Sequence, residues 1–500
     1  MDEHHEQQQV RLAKLTRLRE QGVQPYPYRF AFSHTARQVH EHAETLLSSE
    51  QEVALAGRLM AVRRQGKALF AHVKDNHARL QVYLRQDEVG AESFARFDLT
   101  DLGDFVGLHG TIMRTKTGEL TLRVKRWELL AKALRPLPVP KVEERDGVQV
   151  VHDAVKDVEF RYRQRYADLA LNDDVARVFR TRSLIVQTVR QYLVEQGFLE
   201  VETPVLQPLY GGAAAQPFTT HHRALDLPLY LRVATELYLK RLVVGGIDRV
   251  FEIGKVFRNE GIDRTHNPEF SMLEFYQAYA DYYDMMDHFE AIYERCALAV
   301  HGATRFSYQG TELDVKRPWQ RMTMLEAVGT LGGLDAAPLG DAQLRAELER
   351  RGFALAGAYS RGLAVAKLFE ELVEPKLIQP IFITDFPAET TPLCKDHRTQ
   401  PGLVERFEPY MMGFELGNAY SELNDPIRQR ELFEEQVARR KGGDLEAQPY
   451  DADFLRAMEY GMPPMGGVGI GLDRLVLLLT DQHSVRDVLF FPTMRPESGG

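Results

Sequence analysis

The sequence predicts a multidomain α+β protein, with a small N-terminal β-barrel followed by a larger domain that mixes sheet and helices. Three observations carry this expectation. The chain has 500 residues, too many for one compact core. From Val53 onward it breaks into short alternating segments: VALAGRLMAVRR, ALFAHVKD, ARLQVYLRQ, FVGLHGTIMRT and ELTLRVKRWELL. Turn signals such as RQGK (64–67) and KTGE (116–119) separate them. Finally, RPLPVP (135–140) is proline-rich, extended and stiff, and beyond it long helical patterns such as 174–196 alternate with strands. Five short strands in about 80 residues suit a closed barrel, and the OB-fold is the commonest with that count. The division is an N-terminal helical extension over 1–50, a barrel over 51–140, a linker over 141–160 and a main domain over 161–500. Residues 285–380 carry no recognisable chemistry and read as helix-rich packing or an insertion.

Before the barrel, Leu12, Leu15 and Leu18 recur at helical spacing until Gly22 and Pro25 end the pattern, which predicts a surface helix over about 6–22. The polar start MDEHHEQQQV does not read as a secretory signal, and no apolar run approaches a membrane span. Cys296 and Cys394 stand alone without a CxxC partner, which argues against a disulfide framework or zinc site and fits a reducing, cytoplasmic setting. The chain carries a formal charge of -10, yet Val53–Arg135 holds 15 Lys and Arg against 9 Asp and Glu. That asymmetry suits either a solvated surface with chance clustering or a module that meets a polyanion.

Three segments concentrate polar side chains in a pattern that burial alone does not explain. RVFEIGKVFRNEGIDRTHNPEFSMLEFYQAY (249–279) reads as an antiparallel hairpin with a polar tip. Strand alternation puts Arg258 and Glu260 on one side, and Phe270, Met272, Glu274 and Tyr276 on one face. In FEPYMMGFELGNAYSELND (407–425), Asn418, Tyr420 and Glu422 share a strand face, and Glu408 and Glu415 precede them. Polar groups buried in a row are costly unless a ligand or ion satisfies them. GMPPMGGVGIGLDRLVLLL (461–479) is a glycine-rich strand running into an apolar helix, without a P-loop or Rossmann spacing. Its glycines would let a flat ligand approach the backbone, and Arg474 would reach a phosphate. Taken singly, these segments equally suit a surface hairpin, a solvated sheet face and an ordinary strand–helix junction.

Together they match a known pattern. GFLEVETPVL (197–206), the hairpin and the GLDR segment resemble motifs 1, 2 and 3 of the class II aminoacyl-tRNA synthetases. FRNEGIDRTHNPEF, GGAAAQPF (211–218), ATELYLKRL (234–242) and NAYSELND (418–425) are similar specifically to the lysyl enzymes. The resemblance covers nearly the whole chain and is weakest before residue 50 and in 285–380. It implies an OB-fold that binds the anticodon and an antiparallel-sheet catalytic domain flanked by helices. It also implies a homodimer that uses ATP and Mg2+ to join L-lysine to lysine tRNA.

The resemblance also assigns roles to single residues. Glu236 and Glu274, with the backbone near Gly212, would hold the amine on the α side of lysine. Glu422, assisted by Tyr276, Asn418 and Tyr420, would meet the far ammonium, although the division of Glu236 and Glu422 between the two amines stays open. Arg258 would grip the α-phosphate and the lysine carboxylate together, which suits a planar fork. Glu260, His266 and Asn267 would orient ATP, Phe270 would stack on adenine, and Arg474 would meet the γ-phosphate. Glu408 and Glu415 would be the Mg2+ carboxylates. In the barrel, Phe70 and Gln81 occupy anticodon-reading positions, a ring to stack a splayed base and an amide to read its edge; Phe70 as barrel core is the competing assignment. Many relatives carry a glutamate where TLRVKRWELL supplies Arg126, so either Glu128 takes that part or the third base is read differently. Met465-Gly466 stands where relatives often have Thr-Ala. An aspartate- or asparagine-charging relative would offer cations where this chain has Glu422 and Tyr276. A protein-modifying paralogue would lack the barrel, and a non-catalytic RNA-binding protein would not need both arginines and both metal glutamates.

Overall fold

The computed structural model describes residues 3–76, 78–138, 141–145, 148–152, 157–355, 359–442 and 447–496. The chain divides into two compact units, 1–161 and 162–500, each with its own apolar core. Among the described residues no helix is long and apolar enough to cross a membrane.

The first unit is built on a closed five-stranded barrel. Its strands are Glu52–Gln65, Ala68–Lys74, Arg79–Arg85, Phe105–Arg114 and Leu120–Ala131, arranged first–second–third–fifth–fourth around the barrel. The period of two is visible in burial. Leu69, Ala71, Val73, Leu80, Val82 and Leu84 point into the core, while Phe70, His72, Gln81 and Tyr83 stand on the outer face. Phe70 is therefore half-buried on the outside and is not barrel core. The third and fifth strands run parallel, whereas the other neighbours are antiparallel. A bulge between His109 and Gly110 bends the barrel, and a side chain at Gly110 would collide with the backbone of Arg123.

Helix Glu3–Glu20 buries Leu15 and Leu18 but leaves Leu12 exposed. Arg11 anchors it by donating to the carbonyls of Leu102 (3.1 Å) and Ala133 (2.9 Å). The span 141–160, expected as a linker, contains a two-stranded hairpin, Lys141–Arg145 with Val148–His152. Val139 and Pro140 of the proline-rich stretch lie outside the described residues.

The second unit centres on a large sheet. Its strands run Gln320–Thr323, Ile381–Pro387, Leu403–Met411, Gly417–Ser421, Met465–Gly471, Glu269–Ala278, Arg249–Phe257 and Leu199–Glu200 in spatial order. The middle is antiparallel as expected, but the outermost pair on each side is parallel. One face rests on helix Tyr282–His301, started by an Asp281 capping box and burying Met285, Met286, Phe289, Ile292 and Cys296. Val468 and Ile470 point into that core, so Gly467, Gly469 and Gly471 fall on the opposite face. Within 285–380, helices Met324–Thr330, Asp341–Arg351 and Arg361–Leu372 form a satellite core against the edge of the sheet. The expected helix-rich packing is present, but the span is not chemically silent, because it delivers Glu374 to the carboxylates described below.

Candidate active site

The sheet face opposite helix Tyr282–His301 forms the floor of a cavity of about 360 Å³. Of the residues read from the sequence, Gly212, Glu236, Arg258, Glu260, His266, Asn267, Phe270, Glu274, Tyr276, Glu415, Asn418, Tyr420, Glu422 and Arg474 all line it. Glu408 does not. It lies buried behind the wall, with one carboxylate oxygen accepting from Arg406 and the other from the Tyr410 hydroxyl at 2.5 Å.

The two strands of the expected hairpin are Arg249–Phe257 and Glu269–Ala278, paired from Phe257↔Glu269 to Arg249↔Gln277. Arg258 and Glu260 therefore sit beyond the strand end, in the connecting segment 258–268, and not on alternate strand positions. Both still reach the cavity. The Arg258 amide donates to the Pro268 carbonyl at 2.9 Å, and its guanidinium lies 5.2 Å from the centre of the Phe270 ring. Its buried Nε has no partner within the protein, and neither has the buried Oδ1 of Asn267. Unpartnered buried donors and acceptors are costly, and their place on the cavity wall suits them to a polar ligand. His266 contacts Asp263 at 2.8 Å through Nδ1 and Arg474 at 3.3 Å through Nε2. Arg474 also donates to the carbonyl of Glu415.

The deeper end of the cavity is acidic. Glu274 accepts from the Thr235 amide at 2.9 Å on one oxygen and from the Tyr276 hydroxyl at 3.3 Å on the other. Burial, aided by neighbouring Glu236, pushes the Glu274 carboxyl up to about 7 despite that amide bond. Asn418 donates to the Tyr420 hydroxyl at 2.9 Å. Glu422 is 1% exposed, and burial also pushes its carboxyl upward, against the pull of Lys240. Gly212 takes a left-handed φ of 86°, and a side chain there would press on Glu236 and Ala234. Gly467 is needed for a different reason from ligand approach: a side chain there would collide with Glu422 Oε1 and the Tyr276 ring. At Gly469 and Gly471 a side-chain carbon would meet its neighbours only at ordinary contact distance, 3.8 Å or more.

Four groups escaped the sequence reading. Lys240 is buried between Glu236 (2.6 Å) and Glu422 (2.5 Å). The half-buried Arg406 joins Glu408 to the Asn418 side chain at 3.1 Å. Glu374 is pushed up to about 7, first by burial and then by Glu415 and Glu408. The fourth is Glu119 on the barrel. Its carboxylate accepts from Gln81 at 2.6 Å and contacts His72 at 3.2 Å, and Thr121 donates to Gln81 at 2.8 Å. Phe70 meets Tyr83 across the strand pair, ring centres 4.6 Å apart. Arg126 and Glu128 lie elsewhere, about a shallow pocket with His109 and Phe30. The carboxylate beside Gln81 is thus Glu119. An acidic residue ending a KTGE turn was its only signal.

Glu374, Glu408 and Glu415 raise the question of a metal. Among the described residues no group of three or more His, Cys, Asp or Glu side chains could hold an ion unaided. Glu374 and Glu408 both feel the negative charge of Glu415, and clustered carboxylate oxygens of this kind are the hard donors that suit a dication sharing its ligands with a polyphosphate.

The chain matches the family model of class II tRNA synthetases (D, K and N) over residues 157–495 and that of the OB-fold nucleic acid binding domain over residues 53–130. It is 50% identical over 489 residues to a lysine–tRNA ligase of Moorella thermoacetica, covering 98% of this chain and 97% of that protein. A lysine–tRNA ligase of Carboxydothermus hydrogenoformans is 49% identical over 488 residues, with 97% of each chain covered. A third, from Christiangramia forsetii, is 47% identical over 504 residues, covering 99% and 87%.

Proposed function

From the premise that this chain belongs to the class II tRNA synthetases (D, K and N), alongside lysine–tRNA ligases, we propose that it activates L-lysine with ATP and transfers it to the 3′ end of lysine tRNA. The observation that carries the reading is the trio Glu236, Glu274 and Glu422, buried in one cavity whose outer wall holds Arg258. A substrate with two ammonium groups and one carboxylate matches that distribution of charge. A neutral isostere of lysine would leave a carboxylate unpaired, and a buried unpaired charge costs about 3–5 kcal/mol. An aspartate or asparagine side chain would meet the Glu422 carboxylate and the Tyr276 hydroxyl, and the ammonium that contacts Glu422, Lys240, is already engaged by two carboxylates.

Arg258 holds the lysine carboxylate and the α-phosphate in line, and its guanidinium stabilises the charge that grows on the phosphate oxygens as the carboxylate attacks. Phe270 offers the adenine a ring face, Asn267 and His266 orient the nucleotide, and Arg474 meets the terminal phosphate. Glu415, which lines the cavity, would hold Mg2+, and the ion would supply charge neutralisation to the phosphates when bound; Glu408 would have to release Arg406 and Tyr410 to join it. No side chain is required as a covalent nucleophile. In the barrel, Phe70 and Tyr83 supply stacking surfaces and Gln81 and Glu119 polar edges for anticodon bases. The basic balance of that module supports this reading.

The chain acts as a cytoplasmic homodimer. Leu199, Val205 and Leu206, at 52%, 39% and 47% exposure, leave apolar surface on the 197–206 segment that a second copy would cover, which sedimentation can check. The direct test of function is aminoacylation: lysine tRNA, ATP and Mg2+ should yield lysyl-tRNA with this enzyme. No charging under those conditions overturns the proposal.

A further inference from the structure

Helix Glu236–Val244 places Glu236 and Lys240 one turn apart; Glu236 lines the acidic end of the cavity, and Lys240 is buried outside its lining. The Lys240 ammonium is 1% exposed, 2.6 Å from Glu236 Oε1 and 2.5 Å from Glu422 Oε2. It also lies 5.9 Å from the centre of the Tyr276 ring. The remaining oxygens are turned to other places. Glu236 Oε2 faces the Gly212 backbone, and Glu422 Oε1 faces Gly467, both on the cavity wall. Three buried carboxylates face one internal ammonium, so up to two further cationic groups can be matched once Glu274 and Glu422 are ionised.

We propose that Lys240 is a positioning residue for amino-acid recognition: it engages one oxygen of Glu236 and one of Glu422, so that each carboxylate keeps its second oxygen for one of the two ammonium groups of the substrate. This inference rests on the lysine-activating function proposed above. Stability alone does not account for the arrangement, since a buried ion triad is commonly no more stable than apolar packing of the same volume. Lys240 also links the end of the cavity near Gly212 to the end near Glu422, which lie on different elements. Its surroundings hold the charge in place. Burial pulls its ammonium down, but Glu236 and Glu422 more than offset this and keep it protonated. The other titratable groups that face it or its partners are Glu274 and Tyr276 on strand Glu269–Ala278, Tyr420 on strand Gly417–Ser421, and Cys394.

Lys240→Met, nearly size-matched and apolar, tests the proposal in lysine-dependent ATP–pyrophosphate exchange. Without the internal cation, the carboxylates keep their protons to higher pH. The lysine KM should rise by about tenfold or more near neutrality, and its pH profile should move to higher pH. The ATP KM should stay unchanged. Titration calorimetry in two buffers of different ionisation enthalpy should show more protons released on lysine binding than in wild type. A folded variant with the wild-type lysine KM and pH profile overturns the proposal, as does a pH-independent fall in kcat with both KM values altered. Should Lys240→Met fail to fold, Lys240→Gln is read by the same criteria; collapse of both shows a structural role only and overturns the positioning role. An inactive wild-type enzyme would instead sink the underlying functional proposal, so the two failures are distinguishable.

Discussion

Replacing Glu422 by glutamine removes one charge from the deepest part of the cavity and almost no volume. Glu422 is 1% exposed, so solvent screens little of the lost attraction. Lys240 keeps Glu236 as its partner at 2.6 Å, so the change orphans no cation in the free enzyme and the fold should survive. The cost appears when lysine binds, because its far ammonium is then desolvated against an amide. Removing one partner of a buried ion pair costs about 3–5 kcal/mol. The amide oxygen can still accept a hydrogen bond, which places the loss near the lower end, about 3 kcal/mol or roughly a 10²-fold rise in lysine KM. The assay is pyrophosphate exchange with lysine titrated at saturating ATP, then ATP titrated at saturating lysine. The ATP KM should hold, since no proposed nucleotide contact involves Glu422. An unchanged lysine KM would refute the assignment, and equal rises in both KM values would show general damage to the site.

Four further outcomes follow from the same geometry. Arg258→Ala should slow adenylate formation by about 10²–10³-fold, and Arg258→Lys should rescue little because an ammonium cannot span two anions; near-normal exchange by either variant counts against the role. Glu274 is pushed up to about 7, so below that pH it is protonated in the free site, whereas an ammonium ligand favours its ionised form; lysine binding should strengthen as pH rises through about 7, and Glu274→Gln should remove that phase. Glu415→Ala should shift the Mg2+ requirement to higher concentration, and a wild-type titration curve would place the ion elsewhere. Phe70→Ala should lose about 1–3 kcal/mol of stacking and depress tRNA charging through kcat/KM, while lysine activation stays at the wild-type rate; normal charging by the folded variant refutes base stacking at this ring.

The barrel was legible because each strand buries one face, so alternation in the sequence maps directly onto inside and outside. Asn418, Tyr420 and Glu422 were legible for the same reason, since strand spacing puts polar groups together without knowledge of the fold. Arg258 and Glu260 reached the cavity by another route: the strand ends at Phe257, and the connecting segment carries them there. The residues that escaped depend on partners distant in sequence. Lys240 looks like one more basic side chain of an amphipathic helix until Glu422, from another element, closes on it. Arg406 and Glu374 acquire meaning only where separate elements bring them to Glu408 and Glu415. Glu119 ends a turn whose composition signals only a reversal of the chain, and its place beside Gln81 follows from barrel closure through the parallel third and fifth strands. The parallel outer pairs of the large sheet left no sequence mark, because pairing direction is set by connections that cross the fold.

The three buried carboxylates imply one specificity, for a substrate with two ammonium groups. It is tested most directly by ATP–pyrophosphate exchange measured with each of the twenty amino acids in turn at equal concentration. Strong exchange with lysine, and at most a trace with methionine, glutamine, aspartate or asparagine, is the expected result. Exchange that is as fast with a neutral or acidic amino acid as with lysine would contradict it.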